Sequence, residues 1–312
     1  MTATAPRAAP LPGRLPSGRE VVESISTPAR RPERHKARRV VGRVLVIASL
    51  SLVTLLFVYP FVWLLSASFK PRSQIFDNRL VPETFTLQNY VTVWQEAPVA
   101  LWLVNTLVVT ALAAVSVTVS SALVAWGFAY FRFRGRGVLF GLVLATMMLP
   151  GAVTMIPTYL IWDAVGLVNT QVPLWAGGLF GSAFYVFLLR QFFLGLPREV
   201  FEAARMDGAN NWTIFWRMAL PMCKPAIVLT LLFEVQAAWT NLIGPLIYLR
   251  DEALYTIPLG LKILLDRFVG SGNFQWEIVV TASVITTLPM VLLFFLGQRY
   301  FVDGVQTGGS PR

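Results

Sequence analysis

Long uncharged apolar runs alternate along the chain with short separators that hold nearly all of its charge. Residues 44–69, 97–131, 137–162, 164–189 and 278–298 contain no Asp, Glu, Lys or Arg, and residues 225–249 contain one, Glu234. A helix of roughly 20 apolar residues crosses the hydrocarbon core of a bilayer. The pattern therefore predicts six spans, at about 44–69, 101–131, 138–161, 170–190, 225–249 and 278–300. Lipid supplies no hydrogen-bond partners and the runs exceed a barrel strand, so the spans are expected to be helical. Six buried helices of a soluble protein would need polar faces toward water, which these runs lack. The expected fold class is an all-α polytopic membrane protein with six transmembrane helices.

Composition and charge sharpen this picture. Mean hydropathy is +0.62 and 13 % of residues are charged, which fits a membrane chain. The net charge of +10 would suggest nucleic acid, but its distribution argues for topology instead. With the N-terminus inside, the inner segments hold 20 Lys and Arg against 7 acidic residues, and the outer ones 6 against 8. That asymmetry is the positive-inside pattern and predicts both termini in the cytoplasm, with no nucleic-acid partner.

The separators carry their own signals. Residues 1–39, with six prolines and the run ARRPERHKARR, read as a disordered tail lying against anionic headgroups. Residues 44–69 are too long for a signal-peptide core, so the first span is expected to remain as an anchor. Residues 70–100 mix turn residues with the amphipathic NYVTVW and should form a small outer cap. Arg132, Arg134 and Arg136 mark a tight inner turn. Pro150, Gly151 and Pro157 are expected to kink span three, by packing or along a pathway. Residues 250–277 form a second outer loop that either meets an outside partner or packs on its own spans. The membrane domain is taken as 40–304, with a short cytoplasmic tail at 305–312.

Catalytic and metal chemistry finds few candidates. One cysteine, Cys223, and one histidine, His35, cannot supply a zinc, haem or iron–sulfur site or a disulfide. A Ser-His-Asp apparatus would have its base in the tail. The four lysines occur as HKA, FKP, CKP and LKI, so no GxxxxGK[ST] loop exists to cradle phosphates. No catalytic, metal or cofactor residue is assigned.

The informative separator is 197–221, PREVFEAARMDGANNWTIFWRMALP. Pro197 can start a helix, Glu199 and Glu202 favour its positive end, and Gly208 should break it into two short helices at an angle. Trp212, Phe215 and Trp216 would form the apolar face of the second, with Arg217 nearby, and Pro221 would limit it. A helix pair lying on the membrane surface is one reading. A bent knob offered to a soluble partner is the other, and it accounts for the carboxylates at the tip.

Glu202-Ala203-Ala204, three residues, Gly208, nine residues and Met218-Ala219-Leu220-Pro221 resemble the EAA signature of ATP-binding-cassette importer permeases, with Met218 where isoleucine is usual. AWGFAYFRFRGRG, MMLPGAVTMIPTYLIWDAVGLVNT, WTNLIGPLIYL, LYTIPLGL and QRYFVDG are similar to carbohydrate-importer permeases, in particular the maltose-type second permease. The resemblance covers about 44–304. It implies that Glu202, Ala203, Ala204, Asp207, Gly208, Leu220 and Pro221 couple to an ATP-binding-cassette ATPase dimer, which binds ATP and Mg. Glu202 would make a charged contact, Ala203 and Ala204 allow close approach, and Gly208 permit the bend. Further implied partners are a second homologous permease, an extracytoplasmic sugar-binding protein and a sugar solute. The ending VQTGGSPR departs from the family.

Glu234 lies inside span five. A central carboxylate costs about 2.5–3.5 kcal/mol on insertion scales and should face protein or water. Gln236, Trp239 and Asn241, the last seven residues on and on the same helical face, complete a polar and aromatic set suited to a sugar. The set either lines the translocation pathway or bridges helices by hydrogen bonds. Two rival functions follow from the residues: an ion-coupled carrier using Glu234, and a membrane-bound enzyme. A related importer for a non-sugar solute is a third.

Overall fold

The computed structural model describes residues 34–270 and 274–307. Every regular element among them is helical. Most of the tail expected at 1–39 lies outside the described residues, but helix α1 (Arg34–Ser68) already begins at Arg34. The chain divides at Pro60 into two units. The first contributes a stretch of α1 whose side chains from 41 to 60 are all exposed, an apolar surface consistent with a lipid or protein covering.

The second unit begins at Phe61 and is built around one long helix. After the cap helix α2 (Gln88–Glu96) comes α3 (Val99–Tyr130), which buries small residues such as Ala113, Ala114, Ser121, Ala122 and Ala125 at helical spacing. Small side chains let neighbouring backbones approach closely where no hydrophobic effect drives association. The third expected span is two helices, α4 (Arg136–Thr146) and α5 (Gly151–Ala164), bent by 98°. The break falls at 147–150, where Pro150 disfavours helical backbone at the residue before it. Pro157, also expected to kink this span, sits inside α5 without interrupting it.

The fourth span is α6 (Val172–Ala176), a 3-10 turn (Gly177–Phe180) and α7 (Ala183–Leu194). Its freed backbone groups are taken up by three serines of α3. Ser116 Oγ donates to the Trp175 carbonyl (3.2 Å), Ser120 Oγ to the Gly178 carbonyl (2.6 Å), and Ser121 Oγ accepts from Ser182 N (3.0 Å). Irregular backbone at membrane depth is tolerated where protein satisfies it in this way.

After the connecting segment come α8 (Arg198–Met206), α9 (Asn211–Ile214), a π-turn (Phe215–Ala219) and α10 (Leu220–Met222). The fifth span is shorter than expected. Helix α11 (Lys224–Trp239) stops at Trp239, and α12 (Ile243–Tyr248) follows. Helices α13 (Ile257–Leu265) and α14 (Trp276–Thr307) complete the order. Helix α14 runs past the expected end of span six at 300, with Pro289 inside it. Four helical segments are long and apolar enough to span alone, or six if α4–α5 and the segment 211–239 each count as one bent span.

At the end of α3 remote from Arg132, Arg134 and Arg136, side chains pin the loop at 249–257. Trp102 Nε1 donates to the Glu252 carbonyl (3.3 Å), Asn105 Nδ2 to those of Ala253 (2.8 Å) and Tyr255 (3.0 Å), and Thr106 Oγ1 accepts from Ile257 N (2.8 Å). Asn169, in a left-handed conformation at φ 62°, adds a bond to Asp251 Oδ2 (2.8 Å) and accepts from the amides of Arg250 and Asp251. This part of the loop expected at 250–277 therefore packs on its own spans. The cap is held similarly: buried Lys70 donates Nζ to the Asp77 (2.8 Å) and Arg79 (2.7 Å) carbonyls.

The serine contacts leave no room beside Gly178. A Cβ there would lie 2.7 Å from Ser116 Oγ and 3.2 Å from the Val117 backbone nitrogen. Gly178→Val is expected to cost about 1–3 kcal/mol and to lower the thermal midpoint of the detergent-purified chain. An unchanged midpoint would contradict this packing.

Candidate functional site

Helix α8 begins after Pro197, which stands at the N-cap position with extended backbone. Glu199 lies in its first turn and Arg205 in its last, both matched to the helix dipole. The helix ends in a Schellman arrangement: Gly208 N donates to the Arg205 carbonyl (3.1 Å) and Ala209 N to the Ala204 carbonyl (2.9 Å). Gly208 has φ 88°, the left-handed conformation this cap requires and glycine adopts without strain. The break expected at Gly208 is thus a defined bend.

Asn210 fixes the start of the next helix, its Oδ1 accepting from Thr213 N (2.8 Å), a capping bond that supplies one otherwise orphaned donor. Arg205 Nη2 donates to Asn211 Oδ1 (2.9 Å) across the bend. Four side chains or backbone groups therefore set the angle between α8 and α9.

Glu202, Ala203, Asp207, Gly208 and Pro221 are exposed, while Ala204 and Leu220 are half-buried. Met206, at the C-terminal end of α8, is 87 % exposed. Glu202 has no ion-pair partner among the described residues. The apolar face expected on the second helix is corrected: Trp212 and Trp216 are exposed, and Ile214, Phe215 and Ala219 are buried. The π-turn over Phe215–Ala219 inserts an extra residue per turn and rotates the buried stripe away from α-helical spacing.

The pair is anchored to the spans by aromatic packing. Phe201, directly before Glu202, meets Trp126 edge-on at 5.3 Å and Tyr130 at 5.9 Å. Trp126 also stacks on Tyr130 (4.4 Å) and contacts Phe193 (5.4 Å) and Phe215 (6.1 Å). Each such pair adds about 0.5–1.5 kcal/mol beyond area burial. Phe201, Asn210 and Trp126 were not identified from sequence. Phe201 and Trp126 meet partners distant along the chain, whereas Asn210 acts locally on Thr213, and an asparagine after glycine at 208–210 is a helix-start signal.

The membrane set divides. Glu234 is half-buried on α11, close to the buried Tyr185 of α7. Gln236 is exposed on the same helix. Trp239 is buried in a cluster with Trp102, Ile257 and Ile278. Asn241 lies beyond the end of α11, so the shared helical face expected with Glu234 does not exist. Its Oδ1 instead accepts from Gly244 N (3.0 Å) in the first turn of α12, because a short polar side chain competes for backbone groups. Among the described residues no group of His, Cys, Asp and Glu could hold a metal ion.

Known proteins share this architecture. An arabinooligosaccharides transport system permease protein AraQ of Halalkalibacterium halodurans is 32 % identical over 85 % of this chain and 95 % of its own length. The protein of the same name from Bacillus subtilis is 31 % identical over 88 % and 98 %. A chain in the crystal structure of a bacterial ABC transporter involved in import of the acidic polysaccharide alginate has the same fold, with TM-score 0.73 and 24 % identity over 85 % of this chain and 98 % of that one. Residues 118–307 match the family described as binding-protein-dependent transport system inner membrane component. The chain therefore belongs to that family, as a membrane-embedded permease subunit of an ABC importer.

Proposed function

We propose that the chain forms half of the translocation pathway of an ATP-driven sugar importer and is worked through 197–221 by a separate ATPase dimer. The carrying observation is the exposed, chemically fixed bend at Gly208, joined to α3 through Phe201 and Trp126. A lever needs a stiff tip and a stiff attachment, and both are present. ATP and Mg belong to the partner, whose closure would push on Glu202, Ala203 and Asp207 and favour the outward-facing state. Glu202, exposed and unpaired among the described residues, suits a charge-assisted contact. Ala203, Ala204, Leu220 and Pro221 would provide close apolar approach.

A second, homologous permease is proposed as the other half, with a soluble binding protein delivering solute on the opposite face. The names of the two relatives support an oligosaccharide solute. The arginine-rich end of α3 is assigned to the cytoplasm, with both termini on that side, on the charge asymmetry. Glu234 and Gln236 are the polar groups proposed for the pathway. Trp239 and Asn241 contribute through packing and capping of the break beside it.

The coupling reading predicts that Glu202→Lys weakens co-purification of the ATPase several-fold. An unchanged yield of complex would remove Glu202 from the contact. A β-branched residue at φ 88° is strained by roughly 1–3 kcal/mol, so Gly208→Val should insert normally yet uncouple uptake from ATP hydrolysis. Normal uptake in that variant would count against the docking role.

Glu234→Gln keeps a polar side chain beside Tyr185 and, if the residue only bridges helices, is expected to hold uptake within roughly threefold of the parent, the scale of one interhelical hydrogen bond. Loss of uptake with normal assembly would show that the carboxylate charge itself is needed. Uptake that survives ATP depletion but stops when the proton gradient collapses would favour the ion-coupled alternative.

A further inference from the structure

Two cavities adjoin at the arginine-rich end of α3 and share Phe131. One, of about 300 Å³, is apolar, with Leu123, Trp126, Trp212 and Phe215 in its lining together with Asn211. The other, of about 330 Å³, sets Arg132, Arg198 and Arg205 against a single carboxylate, Glu202. Arg205 links the two, bonding Asn211 at 2.9 Å and lying 5.4 Å over the Tyr130 ring. None of these arginines has an ion-pair partner among the described residues. Trp126 is 4 % exposed, and its indole N–H is buried without a hydrogen-bond partner among the described residues.

We infer that the joined cavities bind an anionic phospholipid, with the phosphate among the three guanidinium groups and an acyl chain along the apolar cavity. The guanidinium fork matches phosphate geometry, and Glu202 offsets only part of the positive charge. The apolar part reaches from the helix end at Tyr130 back to Leu123, about 10 Å along the axis. An acidic segment of a soluble partner would satisfy the arginines but would not follow the cavity to that depth in the span. A lipid does both. The inference rests on assigning this end to the cytoplasmic leaflet, where anionic lipid attracts basic pockets between helices.

The test is native mass spectrometry of the detergent-purified full chain, titrated with phosphatidylglycerol and, separately, phosphatidylcholine. Phosphatidylglycerol is expected to bind roughly tenfold more tightly, and Arg132→Gln to remove most of that preference while Arg132→Lys retains part of it. Arg198→Gln, on the exposed helix, carries the same expectation should Arg132→Gln fail to fold. Equal binding of the two lipids would overturn the proposal. Displacement of the bound lipid by excess glycerol 3-phosphate would also overturn it, in favour of a soluble anion. Unchanged lipid preference in Arg132→Gln, with loss of ATPase co-purification, would assign the arginines to the partner instead. The ATPase-docking reading fails separately, through Glu202→Lys co-purification, which the lipid titration does not measure.

Discussion

Hydrocarbon offers a backbone amide nothing to bond with, and the described fold is organised around that deficit. Three of the spans read as continuous apolar runs are broken, at 147–150, 177–182 and 240–242. Each break frees amides and carbonyls that would cost several kcal/mol apiece if left facing lipid. Helix α3 supplies much of the remedy. Its serines at 116, 120 and 121 serve the second break, and Asn105 and Thr106 serve the loop after α12. The third break serves itself through Asn241. A helix with this many small and hydroxyl residues would be a poor choice for a lipid-facing span and a good one for a central post.

The same helix carries the aromatic cluster that receives α8 and α9. Trp126 touches rings from α7, α8 and the π-turn, so the surface bend and the buried spans share one packed joint. Interiors of this density transmit displacement instead of absorbing it. The exposed residues of the bend have the freedom to meet a partner because Phe201, Ile214 and Phe215 hold its underside.

Much of this was legible in the order of residues. Charge-free length located the spans, and α1, α3 and α14 follow it closely because nothing in them opposes a helix strongly enough to break it. Gly208 was legible as a bend because a left-handed cap needs glycine. The break after Trp239 was not, since Thr240 and Asn241 are weak signals inside an apolar run and act only through local side-chain bonds. The effects of Pro150 and Pro157 differ although the residues are alike, because only the first coincides with a turn that the neighbouring amides complete. The Trp126 joint draws on residues 126, 193, 201 and 215, whose meeting is a product of tertiary packing with no local pattern to announce it. The pocket arginines were read as topology alone, and their convergence depends on the bend.

Helix α3 is 32 residues long, or about 48 Å. It is gripped at one end by the ring cluster and at the other by the hydrogen-bonded loop at 249–257. Such a rod carries its attachments with it: tilting it by about 5° about one end moves the other, with whatever is bonded there, through roughly 4 Å. That is more than a water diameter. A small rotation at the ring cluster would therefore reach the loop at 249–257 as a displacement wider than a water molecule.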